Sequence, residues 1–301
     1  MRAQPVVWIL RAAWLTLPFT LGDALGNAVD HRSAAVAAVT AALAWSSWAA
    51  VLVASMVLHP VALTMVRMIV PAAPVAAVIA AVAADGDAAT SATPATSVIG
   101  LVTALVAVVA ALSGALSDDF VNGASYGDER RFALRTPASF LLGPVPIFWI
   151  ATAGGLTTGP LLLAARQWIP GAALTLLGVG LARPAALAFH GLSRRWLVFV
   201  PAGITLIDHL GIVDPVLLPA KKVVRLGPAF ADSTATDLTQ NAMGLALEIS
   251  LDSPVEITRR TARSEGEIQL LQSVLISPCR PGAVVTEATR RKLRTDAAAV
   301  R

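Results

Sequence analysis

The chain has 301 residues, of which 56% are hydrophobic and 14% are charged, and its mean hydropathy is +0.70. A soluble domain carries about 25% charged residues, so this composition excludes a wholly soluble protein and predicts lipid as the solvent for much of the chain. The net charge of +4 is too small to favour nucleic-acid binding, and a single cysteine, Cys279, excludes an intrachain disulfide.

Apolar stretches long enough to cross a bilayer fill the first two thirds of the chain, since a transmembrane helix needs about 20 mostly apolar residues. Arg11 interrupts the first stretch. A cleaved signal peptide is the alternative there, but a second apolar run follows at once, which favours retention. Gly155 and Gly159, four residues apart, predict a close helix–helix contact. The sequence predicts a transmembrane domain over residues 1–192 with six spans: 5–22, 34–57, 68–84, 97–116, 138–163 and 168–190.

The basic residues of the loops predict the orientation of these spans, because Lys and Arg are enriched in cytoplasmic loops. The loop 117–137 contains Arg130, Arg131 and Arg135, whereas the loop 85–96 contains acidic residues and no basic ones. Placing the first loop inside and the second outside puts both termini in the cytoplasm. Usage rich in Ala, Val and Arg and poor in Lys is typical of a high-GC bacterium, so we expect a multi-pass protein of a bacterial plasma membrane.

The pattern changes at residues 193–215, SRRWLVFVPAGITLIDHLGIVDP. Arg194 and Arg195 end the sixth apolar stretch, and a carboxylate such as Asp208 costs a few kcal/mol inside hydrocarbon. The apolar part between them is rich in β-branched and aromatic residues, and the turn-forming residues 201–203 interrupt it. The segment therefore predicts a β-hairpin rather than a seventh span.

Further short strands are predicted downstream. A helix is predicted over residues 281–295, because its basic residues lie toward its C-terminal end. Residues 193–295 are predicted to form a small, mainly antiparallel cytoplasmic β domain with a C-terminal helix, followed by a frayed tail at 296–301. The strand-like runs between the hairpin and the helix are separated by turn-rich segments: 215–219, 222–227, 244–251, 254–259 and 267–276.

This arrangement resembles the PH-like domains found on bacterial membrane proteins. The resemblance covers residues 194–295 and rests on WLVFVPAGITLID, on VLLPAKKVVRL and on a terminal helix after the last strand. A small OB-like barrel would give a similar string of strands. The whole chain resembles actinobacterial multi-pass membrane proteins that carry such a domain, and this likeness implies no catalytic activity.

Basic side chains of the β domain are the candidate lipid-binding residues. In a PH-like domain held at the inner face of the membrane, each would contribute about 1 kcal/mol of attraction to anionic headgroups. The alternative is an ordinary solubilising surface, because nearby acidic residues dilute the patch. The expected partners are membrane lipids and a membrane or cytoplasmic protein, and no nucleic acid. The candidates are Arg194, Arg195, Lys221, Lys222 and Arg225.

A Gly-x-Ser-x-Gly pattern at 123–127 suggests a serine hydrolase, with Ser125 as nucleophile and His190 as base. That motif needs a strand before it and a helix after it, whereas this one lies in a polar loop, which favours a glycine-rich turn. The four histidines lack metal-ligand spacing, and no cofactor motif is present, so no metal or cofactor is expected.

Charged residues inside the spans bear on transport. No predicted span holds a carboxylate, which ion-coupled carriers usually need. Arg183 lies near the inner face, and Arg11 lies deeper, where a packing or topology role is favoured over contact with an anionic substrate. The sequence predicts a non-enzymatic scaffold or regulatory module that uses its cytoplasmic domain for lipid or protein contact. A small-solute transporter with a regulatory domain is the alternative, and an intramembrane serine hydrolase is less favoured.

Overall fold

The computed structural model describes residues 5–85, 94–261 and 264–295. The chain divides into two compact units. The first contains Met1–Leu116 and Val145–His190, and the second contains Ser117–Pro144 and Gly191–Arg301. Each unit is therefore assembled from two separate segments of the chain. The predicted tail at 296–301 and most of the predicted loop at 85–96 lie outside the described residues.

The membrane-spanning capacity lies in long apolar helices. Within the described residues, five helical segments are long and apolar enough to cross a membrane, and a sixth candidate joins Ser97–Leu112 to Gly114–Asn122 across a bend of 56°. The prediction of about six spans is thus confirmed as five to six such helices. The helices are α1 (Pro5–Thr16), α2 (Leu21–Val29), α3 (Ala34–Met56), α4 (Pro60–Ile69), α5 (Ala72–Asp85), α6 (Pro94–Leu112), α7 (Gly114–Asn122), α8 (Ala138–Leu142), α9 (Pro144–Ala164), α10 (Trp168–Ser193) and α11 (Pro281–Arg290).

The third candidate span begins earlier than predicted, at Pro60 rather than at residue 68. Pro60 occupies the first turn of α4, where a missing N–H costs nothing, and the His59 ring accepts a hydrogen bond from the Val61 N–H at 3.2 Å. The span continues through α5 after a short break around Pro71, which cannot donate a helical hydrogen bond. Arg67 therefore lies within this helical segment.

The bend between α6 and α7 separates apolar from polar sequence. α6 has 19 residues, which at 1.5 Å per residue span about 28 Å, close to the thickness of the hydrocarbon core. α7 carries Asp118 and Asp119, and Ser117–Pro144 belongs to the second unit. We therefore treat residues 97–116 as the spanning segment and place Asp118 outside it.

Helices α9 and α10 form a hairpin whose backbones touch through glycines. A Cβ atom added to Gly155 would lie 2.7 Å from the Cα of Gly178, and one added to Gly159 would lie 2.5 Å from the Thr175 nitrogen. Only hydrogen fits at these positions, because real Cβ atoms essentially never approach other atoms so closely. The close contact predicted from Gly155 and Gly159 is confirmed.

We expect Gly178→Ala to destabilise the first unit by about 1–3 kcal/mol, since the new methyl group would lie 2.5 Å from the Leu156 backbone nitrogen. Gly180→Ala is the matched control, because nothing lies within 4 Å of the added Cβ there. Thermal unfolding of both variants in the same detergent measures the difference. A Gly178→Ala protein as stable as Gly180→Ala would contradict the close packing.

Two four-stranded sheets form from the residues of the second unit that the structure describes. The first has the order β1-β2-β3-β4 with every neighbouring pair antiparallel, and the predicted hairpin is confirmed as β2 and β3. The second has the order β5-β7-β8-β6, in which only the short β6 runs parallel to its neighbour. The strands are β1 (Arg130–Ala133), β2 (Trp196–Val200), β3 (Gly203–Ile207), β4 (Val216–Pro219), β5 (Val223–Pro228), β6 (Thr236–Asp237), β7 (Leu247–Thr261) and β8 (Ser264–Ile276).

Strand β1 comes from the segment that was predicted to be a loop between two spans. It pairs with β2 along its full length, with Phe132 opposite Leu197. The Phe132 ring also meets the Phe199 ring edge-on, with centroids 5.7 Å apart. The β domain is therefore not confined to residues 193–295, because its first strand precedes α9.

One apolar core joins both sheets to α11. The predicted strands 244–251 and 254–259 are a single long strand, β7, with an irregular register between Ser250 and Val255. The helix predicted to reach residue 295 ends at Arg290, and Lys292 adopts a positive φ of 61° just beyond it. Almost fully buried core side chains come from both sheets and from α11, among them Phe132, Phe199, Leu226, Ile249 and Val284.

Candidate interaction surface

Arg195 lies inside the second unit and not on its surface. The residue is 2% exposed. Its Nε donates to Asp208 Oδ1 at 2.6 Å, its Nη2 donates to Asp208 Oδ2 at 2.7 Å, and its Nη1 donates to the Arg135 carbonyl at 2.8 Å. The prediction that Arg195 binds lipid is corrected, because a guanidinium held in this buried, bidentate ion pair cannot reach a headgroup.

Arg225 is also engaged within the unit. Its Nη2 donates to the Pro228 carbonyl at 2.8 Å, and its Nη1 lies 3.9 Å from Glu248 Oε2. Its guanidinium stacks 4.3 Å from the centre of the Phe230 ring. The positive charge is therefore partly neutralised in place, which weakens its attraction for an external anion.

The remaining candidates differ in exposure. Arg194 and Lys221 are exposed, while Lys222 is half-buried and its Nζ donates to the Pro254 carbonyl at 3.5 Å. A half-buried ammonium at that distance keeps most of its capacity for other partners. Two exposed cations and one partly exposed cation thus remain from the predicted set of five.

The strand register places these remaining cations at opposite ends of the first sheet. Trp196, two residues after Arg194, pairs with Ile207, whereas Pro219, two residues before Lys221, pairs with Gly203 at the other end of β3. A five-residue strand covers roughly 17 Å at about 3.4 Å per residue. The structure therefore does not bring the predicted basic residues together into one patch.

Comparisons with protein-family models, with curated proteins and with solved structures found no match. The candidate functional residues are therefore identified from their burial and their contacts in this structure. Among the described residues, no group of three His, Cys, Asp or Glu side chains is placed to hold a metal ion.

Arg11 is bound to backbone within the first unit. Its Nη2 donates to the Ser55 carbonyl at 2.6 Å, in the last turn of α3, and its guanidinium stacks 4.8 Å from the centre of the Trp8 ring. The carbonyls of a last helical turn lack intrahelical partners, so Arg11 supplies one of them with a donor. This geometry supports the packing role for Arg11.

Ser125 and His190 form hydrogen bonds with different residues. The Ser125 hydroxyl donates to Asn122 Oδ1 at 3.1 Å, and the same oxygen accepts from the Arg131 N–H at 3.1 Å. His190 Nδ1 lies 3.3 Å from the Thr64 hydroxyl. The Asn122 amide thus orders the turn from α7 into β1. Ser125 belongs to this turn, as the glycine-rich turn expected at 123–127 predicts.

Asp118 is a buried carboxyl that the sequence did not single out. It is fully buried, its Oδ1 accepts from the Ala133 N–H at 2.9 Å, and its Oδ2 lies 3.9 Å from Arg280 Nη1. Burial raises the pKa of Asp118 to about 7, against the opposing hydrogen bond from Ala133 and the attraction of Arg280 and Arg130. The carboxyl connects α7 to β1 and to the start of α11. Its sequence signal was only an acidic pair after an apolar run.

His209 lies beside the buried ion pair. Burial lowers the pKa of His209, and the positive charge of Arg194 lowers it further, against the attraction of Asp208. We therefore expect a largely neutral imidazole at pH 7. His209 lies in a turn and is partly buried.

Proposed function

We propose that the chain is a non-enzymatic, multi-pass protein of a bacterial plasma membrane, a scaffold or regulatory module whose second unit makes contact with lipid or protein. The observation that carries the proposal is the filled apolar core that joins both sheets to α11. A domain whose interior is packed in this way meets other molecules through its surface. A four-strand antiparallel meander, a second sheet and a C-terminal helix support a PH-like fold for this unit.

The lipid contact is proposed for Arg194 rather than for the five predicted cations together. Arg194 is exposed and follows directly after α10, whose 26 residues are apolar enough to cross a membrane. A cation at the end of a span lies near the headgroups and is attracted to anionic lipid. Basic residues in 117–137 and after α10 support a cytoplasmic location for the second unit and for both termini.

Native mass spectrometry of the full chain in detergent tests this contact with two lipids, phosphatidylglycerol and phosphatidylcholine. We expect Arg194→Gln to weaken phosphatidylglycerol binding about fivefold, which corresponds to about 1 kcal/mol for one headgroup contact. Lys221→Gln, which removes another exposed charge at the opposite end of the sheet, should leave binding unchanged. Equal phosphatidylglycerol affinity for Arg194→Gln and the unmodified chain would contradict the proposal.

A further inference from the structure

The β7–β8 hairpin carries a strand edge with no neighbour among the described residues. On one side β8 pairs with β7 from Ile276 back to Ser264. On its other side β6 pairs with β8 only at Val274 and Leu275. The outer edge of residues 266–273 therefore meets no other described strand.

The opposite edge of the same hairpin is covered. The Val213 N–H donates to the Thr258 carbonyl at 2.9 Å, and the Arg260 N–H donates to the Gly211 carbonyl at 3.0 Å. The segment that follows β3 thus covers the outer side of β7. The two edges of the hairpin differ, and only the β8 edge is left open in the described chain.

The open edge has little of the usual protection against pairing. Natural proteins shield free edges with charged residues, especially Lys, with Pro or with bulges. Residues 266–272, GEIQLLQ, contain one charge, Glu267, and no proline. Ile268 and Leu270 are 69% and 68% exposed, and they lie on the same face because they are two residues apart. The edge therefore combines free backbone groups with exposed apolar side chains.

We propose that a second copy of this chain pairs with this edge, β8 antiparallel to β8, about a two-fold axis through Gln269. In that register Ile268 lies opposite the partner's Leu270, and Leu270 lies opposite the partner's Ile268. Each of these apolar side chains thereby contacts an apolar side chain of the partner. The two-fold axis repeats the contact, as a two-fold interface requires. This inference rests on the proposed contact function and names its protein partner.

Neighbouring registers are less favourable. An axis through Glu267 would set two carboxylates directly opposite each other, which destabilises a strand pair. An axis through Ile268 would set Leu270 opposite Gly266, and an axis through Leu270 would set Ile268 opposite Gln272. Of these registers, only the axis through Gln269 matches both apolar side chains with apolar partners.

Attachment to the membrane favours pairing through an interface as small as a single pair of strands. A single pair of strands buries less than the roughly 1,200–2,000 Å² of a stable interface between freely diffusing proteins. Two copies held in one bilayer have a raised effective concentration, so a small interface is enough to keep them paired. The pairing should therefore be measured in the full chain within its membrane.

Disulfide cross-linking in membranes tests the register. In a Cys279→Ser background, we expect Gln269→Cys to give a disulfide-linked dimer on copper–phenanthroline oxidation, because directly opposite Cβ atoms lie about 4.5–5.5 Å apart. Thr258→Cys is the matched control on the neighbouring strand. Its two copies would be three strand spacings apart, so at least about 14 Å, and should yield at least about tenfold less dimer.

A second variant separates pairing from folding. Ile268→Glu with Leu270→Glu, added to Gln269→Cys, changes only exposed side chains and sets like charges opposite each other, so the cross-link should disappear. Lys221→Glu in the same background should keep it. Gel filtration of each variant in detergent verifies that the chain remains folded.

Three results would overturn the proposal. One is equal dimer from Thr258→Cys and Gln269→Cys. Another is a Gln269→Cys adduct with a different protein. The third is an Ile268→Cys thiol that lipid shields from an impermeant maleimide while no dimer forms, which would assign the edge to the membrane. None of these results changes the phosphatidylglycerol test at Arg194, so the two proposals can fail separately.

Discussion

Arg195→Gln should lower the free energy of unfolding of the second unit by about 3–5 kcal/mol, the cost of removing one partner from a buried ion pair. Both side chains of the pair are 1% exposed. The substitution would leave the Asp208 carboxylate without its two guanidinium donors in the interior. Hydrogen exchange of β2 and β3 in the detergent-solubilised chain reports this loss for the second unit alone.

Arg194→Gln is the matched control, since it makes the same change one residue earlier on an exposed side chain. We expect a stability change within about 0.5 kcal/mol, as for most surface substitutions. Replacing both partners, as in Arg195→Met with Asp208→Leu, should restore most of the stability, because neither charge is then left buried alone. A loss in Arg195→Gln no larger than that in Arg194→Gln would contradict the buried pair.

Asp118→Asn should stabilise the second unit at pH 8 and flatten its dependence on pH. The pKa of Asp118 is about 7 in the folded protein and 3.8 as the reference value. The folded state therefore holds the proton more tightly, so the stability from this group is complete below about pH 4 and is lost as pH rises through 7. A shift of about three pKa units corresponds to roughly 4 kcal/mol.

The asparagine keeps an acceptor for the Ala133 N–H, so the substitution removes the charge without removing the link between α7 and β1. Chemical unfolding at several values between pH 4 and pH 8 provides the measurement. Asp252→Asn, an exposed carboxyl on β7, is the control and should leave the slope unchanged. An unchanged slope in Asp118→Asn would show that this carboxyl does not titrate with folding.

Local sequence patterns predicted those elements whose side chains alternate or run apolar over a sufficient length. The hairpin of β2 and β3 was predictable because residues 196–207 are β-branched and aromatic around a Pro-Ala-Gly turn. β1 was not, because its four residues begin with two arginines and its pairing with β2 is set by contacts across more than 60 positions of sequence. Such non-local pairing leaves no local pattern.

The candidate site was less predictable, because adjacent residues in the segment between α10 and β2 differ in burial. Arg194 and Arg195 are indistinguishable by type and position relative to the sixth span, yet one is exposed and the other is buried against Asp208. Only the start of β2 decides which of the two faces inward. Lys221 and Arg194 are both basic residues beside predicted strands, so the sequence groups them together. The strand register places them at opposite ends of the first sheet.

The origin of β1 has a consequence for how the protein is made. β1 is synthesised before α9 and α10, and β2 is synthesised after them. Because the two strands are hydrogen-bonded neighbours, the segments that carry them must be on the same side of the bilayer. The α9–α10 hairpin must therefore cross the membrane twice, or not at all, before the sheet can close. During biosynthesis β1 cannot pair with β2 until the α9–α10 hairpin has been made, and a chain that inserts only one of the two helices cannot complete the sheet.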